Sequence, residues 1–342
     1  MPKPTIRTVA VVGTGVIGRS WIPVFARAGV ETRVYDADLA QRDRALEWFA
    51  DDLMARRERG ELKKKEVKAL RDRVVACDTL EEALAGVGYV QESGPERLDL
   101  KRAIYAELDG AAAPEVILGS STSAIDMTEI AEGLPGRARC IVAHPVNPPH
   151  VVPVVEVLGG RDTAPEVVEA TIAFLESVGQ SPVLMKRFTP GFILNRMQAA
   201  LIREAVDLVA SGVADVEAVD VCIRDGLGLR WAFMGPFAVA NTNADGGVAE
   251  YFTRYRPAYH GLWAELNTAV QFDDALVREL HRQTEEMLGD DRADQRQWRD
   301  RMIEAIRATR AKLPLGGARK KARGKTKGAK GRPVKKKAHQ QR

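Results

Sequence analysis

The stretch Thr8-Val-Ala-Val-Val-Gly13-Thr-Gly15-Val-Ile-Gly18-Arg-Ser-Trp, followed by Thr32-Arg-Val-Tyr-Asp36, decides the fold. A short β-branched run ends in Gly-x-Gly-x-x-Gly, a helix-like segment follows over residues 19–28, and a second strand closes on an acid. In such a unit the first glycine permits a tight turn. The second lets backbone approach a pyrophosphate, and the third lets helix and strand pack closely. The helix start adds free N–H groups and the positive end of its dipole. A glycine-rich loop alone would be weak, but the strand before it, the helix after it and Asp36 beyond predict a dinucleotide site at Gly13, Gly15 and Gly18. Asp36 can accept from ribose hydroxyls and would repel a 2′-phosphate, which favours NAD over NADP; FAD shares the turn and competes at this point.

Working outward, strand-like segments at 89–90, 116–118, 140–143, 151–157 and 182–185 alternate with helical stretches such as 98–108 and 167–178. That alternation predicts an α/β fold with a doubly wound, mostly parallel Rossmann-type sheet. Residues 39–70 read as charged helix broken at Gly60, with Lys63, Lys64 and Lys65 on the surface. Beyond Gly191 the texture becomes helical, over 192–211, 215–226, 237–255 and 273–313. We expect an NAD-binding domain over 1–186, a helical substrate and dimerisation domain over 187–313, and a disordered Lys/Arg-rich tail over 314–342. The tail holds too few apolar side chains to offset its ordering entropy.

The net charge of +4 over 342 residues is misleading until it is located. Of the 51 basic residues, twelve follow Leu315, where no acid occurs, so the preceding body holds 39 against 47 acidic residues, a net of −8. Such a tail could touch nucleic acid or an acidic surface by counterion release, but it lacks aromatics for stacking, and a solvated appendage is favoured. No run approaches the ~20 apolar residues of a membrane span. Cys77, Cys140 and Cys222 are far apart and odd in number, against disulfides or structural zinc, and the N-terminus has no signal architecture. A cytoplasmic protein without metal is expected.

The segment Cys140-Ile-Val-Ala-His144-Pro-Val-Asn147-Pro-Pro-His150-Val-Val-Pro-Val-Val-Glu156 places a histidine at the end of one strand and a carboxylate within the next. Oxidising a secondary alcohol needs a base of near-neutral pKa while hydride leaves carbon, which suits an imidazole beside a nicotinamide and disfavours FAD. A carboxylate at the other ring nitrogen would fix the tautomer, the role assigned to Glu156. His144 satisfying a strand end and Glu156 as an edge charge is the plain alternative. His150 lies inside the loop and ranks lower.

The strings GTGVIGRSW, SSTSAI, AHPVNPP…VPVVEV and GFILNRMQAALIREA resemble the L-3-hydroxyacyl-CoA dehydrogenase superfamily, and within it the lambda-crystallin or L-gulonate 3-dehydrogenase branch. The resemblance spans about residues 5 to 310. It implies a Rossmann domain for NAD, a helical dimerisation domain that makes a homodimer, and a His–Glu pair matched by His144 and Glu156. It further implies that Ser123 and Asn147 hold the substrate oxygen, that Asn195 stands beside His144, and that Val16, Ile17, Asp36, Glu96 and Lys101 contact the cofactor. Lys101 on its own reads equally as a solvated helix residue.

Arg230-Trp231 resembles the gulonate branch rather than the acyl-CoA enzymes, and an arginine there could grip a carboxylate bidentately. The sequence therefore points to NAD-dependent oxidation of a small 3-hydroxy acid such as L-gulonate. One alternative is 3-hydroxyacyl-CoA oxidation, with Lys63 to Lys65 on CoA phosphates. Another is L-carnitine oxidation, with Trp231 near a trimethylammonium. A crystallin-like or NAD-binding module without catalysis is opposed by the intact set Ser123, His144, Asn147, Glu156 and Asn195.

Overall fold

The computed structural model describes residues 6–266 and 273–312. Its strands are β1 (Thr8–Val12), β2 (Glu31–Tyr35), β3 (Val74–Ala76), β4 (Tyr89–Glu92), β5 (Ile117–Ser120), β6 (Cys140–Pro145), β7 (Val154–Gly159) and β8 (Ser181–Leu184). They form one sheet in the order β3-β2-β1-β4-β5-β6-β7-β8. Every neighbouring pair is parallel except β6 with β7. Strands β4, β5 and β6 are buried along their whole length, as expected of central parallel strands covered on both faces.

The strand order reverses between β1 and β4, and ligands of open α/β sheets bind beyond the carboxyl ends of the strands at such a switch point. That edge carries the glycine turn after β1, Ser93 after β4, Ser121 after β5 and His144 in β6.

The sheet is covered by α1 (Val16–Arg27), α2 (Leu39–Glu58), α3 (Lys64–Arg71), α4 (Leu80–Leu84), α5 (Leu98–Ala111), α6 (Met127–Ile130) and α7 (Pro165–Ser177). The two-residue period of β1 divides the core: Val9 and Val11 join one cluster, Ala10 and Val12 the other. In the first cluster Trp21 stacks on Phe25 at 5.3 Å, Phe25 on Phe174 at 5.9 Å, and Phe174 meets Tyr89 at 5.0 Å. These rings weld α1 and α7 to the sheet beneath the glycine turn.

The helical region comprises α8 (Leu194–Ala210), α9 (Val216–Val221), α10 (Gly228–Trp231), α11 (Pro236–Thr242), α12 (Gly247–Glu265), α13 (Asp274–Leu288) and α14 (Arg292–Lys312). Two helices expected to be continuous are each divided. The 237–255 segment breaks before Gly247, at φ +71°, and the 273–313 segment breaks at Gly289, at φ +72°, conformations that glycine alone adopts cheaply.

Strand β7 begins later than the 151–157 reading. Val151 and Val152 instead donate to the Pro148 carbonyl in a turn, and Pro153 has no N–H for a ladder. The short edge strand β3 was not foreseen. The tail over 314–342 lies outside the described residues. Among the described residues no helix is long and apolar enough to cross a membrane.

Candidate active site

Gly13 adopts φ +85°, and a Cβ there would meet the backbone of Ser93 and Gly94 within 2.9 Å. A Cβ on Gly18 would lie 1.8 Å from the Gly13 carbonyl oxygen, so α1 reaches its place only because both residues lack one. Gly15 has open space at that position, and α1 starts there with no side-chain cap and no acid in its first turn. Its N–H groups are thus left to an anion, and the backbone can approach a pyrophosphate closely.

Asp36, at the end of β2, accepts from the Thr14 N–H at 2.7 Å and the Thr14 hydroxyl at 2.8 Å through one oxygen. The other accepts from the Asp38 N–H at 3.0 Å. The carboxylate is locked beside the turn with lone pairs left for ribose hydroxyls. The turn, the uncapped helix and Asp36 together fit a dinucleotide.

The antiparallel register sets His144 directly opposite Glu156, so their side chains share one face. His144 Nδ1 lies 2.9 Å from Glu156 Oε2. A carboxylate only accepts, so Nδ1 carries the proton and Nε2 is left for the cleft. The other carboxylate oxygen, Oε1, accepts from the N–H groups of Ile193 at 2.8 Å and Leu194 at 3.0 Å, at the start of α8.

Phe192, at φ +47° and fully buried, turns the chain so that those amides face Glu156, and its ring meets the His144 ring edge-on at 5.2 Å. Burial pushes the Glu156 carboxyl up. The hydrogen bonds from His144 and the two amides outweigh it and hold the group below the usual carboxylate range.

Glu96 does something the sequence reading missed. Its Oε1 accepts from the Thr122 hydroxyl at 2.8 Å, the Ser123 N–H at 2.7 Å, the Ser123 hydroxyl at 3.2 Å and the Ala124 N–H at 2.9 Å. It therefore shapes the turn that carries Ser123, besides lining the cleft. Burial pushes its carboxyl up, but the Thr122 and Ser123 bonds, Lys101 and the Ala124 bond bring it below the usual range.

Lys101 departs from the expected cofactor contact. It is 1% exposed, and its ammonium lies 2.9 and 3.0 Å from the two oxygens of the fully buried Glu92. It stands 3.7 Å from Glu96 Oε2, so it braces the wall of the cleft from behind.

A cavity of about 450 Å³ joins these parts, lined by Ile17, Glu96, Ser123, His144, Asn147 and Asn195 together with Ser93, Gly94, Ser121, Leu194 and Gln198. The sequence reading missed the last five. Ser93 and Gly94 stood in the quoted Gln-Glu-Ser-Gly-Pro-Glu, Ser121 beside Ser123, and Gln198 lies three residues after Asn195 on one helix face. Val16, at the start of α1, is 55% exposed at the edge of the neighbouring cavity.

Arg230 is not brought to this cleft within the chain. It lines a separate cavity of about 230 Å³ with Trp231, Phe237, Tyr251, Phe252 and Tyr259, because α10 packs toward α11 rather than toward the sheet edge. Lys63, Lys64 and Lys65 are exposed at the start of α3 and do not line the cleft either.

A dinucleotide turn at the switch point and a paired histidine across the same edge define an NAD-dependent oxidoreductase. The chain belongs to the 3-hydroxyacyl-CoA dehydrogenase family: that family's NAD binding domain matches residues 8–188 and its C-terminal domain residues 191–274. It is 35% identical to rabbit (Oryctolagus cuniculus) lambda-crystallin over 90% of this chain and 97% of that one. It is 40% identical to the L-carnitine dehydrogenase of Streptomyces coelicolor over 89% of this chain and 95% of that one.

Among solved structures it resembles 5-formyl-3-hydroxy-2-methylpyridine-4-carboxylic acid 5-dehydrogenase, an NAD+-dependent dismutase. The TM-score is 0.70 and the identity 25%, over 90% of this chain and 98% of that one. It also resembles 3-hydroxybutyryl-CoA dehydrogenase of Escherichia coli K12, with TM-score 0.64 and 30% identity, over 80% of this chain and 56% of that one.

Proposed function

We propose that this dehydrogenase oxidises the hydroxyl of a small free 3-hydroxy acid, L-gulonate-like, to the keto acid. The observation that carries the reading is the buried His144–Glu156 pair, with His144 lining the same cleft as Ser123, Asn147 and Asn195. Nε2 takes the hydroxyl proton, and Glu156 stabilises the imidazolium that forms. The Ser123 hydroxyl and the two carboxamides orient the alcohol and polarise the ketone in reverse.

The glycine turn, the amides of Val16 and Ile17, and Asp36 would hold NAD, which would supply the acceptor for the hydride. A free acid is favoured over a thioester because lambda-crystallin and L-carnitine dehydrogenase match about nine-tenths of the chain, and L-carnitine is itself a free hydroxy acid.

NADH formation with L-gulonate, L-3-hydroxybutyrate, L-carnitine and 3-hydroxybutyryl-CoA in parallel, with His144→Ala as blank, tests this. Turnover of a free acid and not the thioester is expected. Preference for the thioester would move the assignment to acyl-CoA oxidation.

The reading includes a cytoplasmic homodimer formed through the helical region. Along α8 to α14 only Val206, Val239 and Ala240 are buried hydrophobics among the described residues, while Phe233, Phe237, Leu262 and Trp263 are 59 to 72% exposed. Such apolar surface on one region supports burial against a second copy.

A further inference from the structure

Beside the catalytic cleft lies a second cavity, of about 540 Å³, bounded by α1, α2, the 147–150 loop and α14. The two share Asn147 as a wall. Helix α14 is tied over the second cavity by Arg56 Nη2 to Glu304 at 2.7 Å and by Arg307 Nη1 to the Val151 carbonyl at 2.6 Å. Six arginines and four carboxylates line it, and Arg56, Arg59 and Arg299 are taken up by Glu304, Glu61 and Asp300.

Arg19 is different. Its guanidinium lies over the Trp48 ring at 5.1 Å, and its buried Nε has no hydrogen-bond partner among the described residues. Trp48 in turn meets the His150 ring edge-on at 5.5 Å, and His150 Nδ1 is also buried without a partner. A guanidinium over an indole, making no ion pair and lining a cavity with six arginines against four carboxylates, suits a carboxylate.

We propose that this cavity is an anion subsite contiguous with the catalytic cleft, and that Arg19 there binds the carboxylate of the hydroxy acid whose alcohol stands at His144. The inference deepens the free-acid reading and rests on it for the identity of the ligand. It places the specificity-determining cation on α1 rather than at Arg230. Arg296 and Arg301, both exposed on α14, are the other two lining guanidiniums without an ion pair among the described residues.

The test is titration of the NAD+-loaded protein with acetoacetate, which cannot be oxidised at that site, and with its neutral methyl ester. Arg19→Met is expected to weaken acetoacetate binding about 10- to 100-fold, the loss of a charge-assisted bidentate contact. The methyl ester and NAD+ affinities stay unchanged, and Arg19→Lys recovers part of the loss. Arg296→Ala, which leaves the Trp48 stack intact, should weaken acetoacetate less than Arg19→Met and leave the ester unchanged.

Equal acetoacetate affinity in wild type and Arg19→Met would overturn the proposal. So would a loss shared by the methyl ester or by NAD+, which would make Arg19 a packing or cofactor residue. If wild-type enzyme turns over only the thioester while Arg19 still sets acetoacetate affinity, the free-acid reading fails and the anion subsite stands.

Discussion

Glu156 holds His144 with one carboxylate oxygen, at 2.9 Å, and the start of α8 with the other. One side chain thus couples the proposed base, on the sheet, to the helix that carries Asn195. Glu156→Gln keeps the volume but removes the charge that would stabilise an imidazolium. We expect kcat to fall about 100- to 10,000-fold with NAD+ affinity unchanged, read by steady-state kinetics and cofactor titration. A tenfold or smaller effect on kcat would show that His144 works without its partner.

Glu96 and Ser123 act as one unit, since a single carboxylate oxygen accepts from both the N–H and the hydroxyl of Ser123. Glu96→Ala and Ser123→Ala should each lower kcat/KM by about 10- to 100-fold, and the double variant by little more than either. Full additivity in that cycle would separate the two roles.

Lys101 and Glu92 form an ion pair with both side chains almost wholly withdrawn from water. Lys101→Met leaves Glu92 buried with only the Ser120 hydroxyl and the Gly94 N–H, both at 2.6 Å. The expected loss is about 3–5 kcal/mol in denaturant unfolding. Adding Glu92→Gln should restore part of it, because the uncompensated charge is then gone. If the double variant is no more stable than Lys101→Met, the cost lies in packing.

His150 sets a pH dependence of stability. Burial, then the nearby Arg27, pushes its imidazole down to about 4. The unfolded chain takes up this proton near pH 6.5, whereas the folded chain stays neutral until about 4. Folded stability should therefore fall as pH drops through that window, by up to about 3 kcal/mol from this residue. His150→Gln, which cannot titrate, should flatten the slope of Tm against pH between 6.5 and 4; an unchanged slope would assign the loss to other groups.

The exposed aromatic side chains of the helical region give a test of assembly. Phe237 is 72% exposed and Trp263 59%. Phe237→Asp with Trp263→Asp should shift the mass in light scattering from dimer to monomer, while leaving NAD+ binding to the sheet domain intact. A wild-type protein that is monomeric at micromolar concentration would remove the dimer.

The sequence by itself determined the dinucleotide unit. Gly13, Gly15, Gly18 and Asp36 act through local backbone geometry, such as the φ of +85° at Gly13, which spacing along the chain already encodes. It also offered His144 and Glu156 as a pair, with a plain structural alternative beside it; in the structure only eight residues, three of them proline, join their two strands, too few for a parallel crossover.

Only the tertiary structure decided what depends on contacts distant in sequence. It put Glu96 on the turn of Ser123, buried Lys101 against Glu92, took Arg230 into a separate aromatic cavity, and brought α14 across α2 to enclose Arg19. A charged side chain reads alike in sequence whether it ends in water, in an ion pair or over an indole. Which of these it reaches is set by the packing of elements up to 248 residues apart, as Arg56 and Glu304 are.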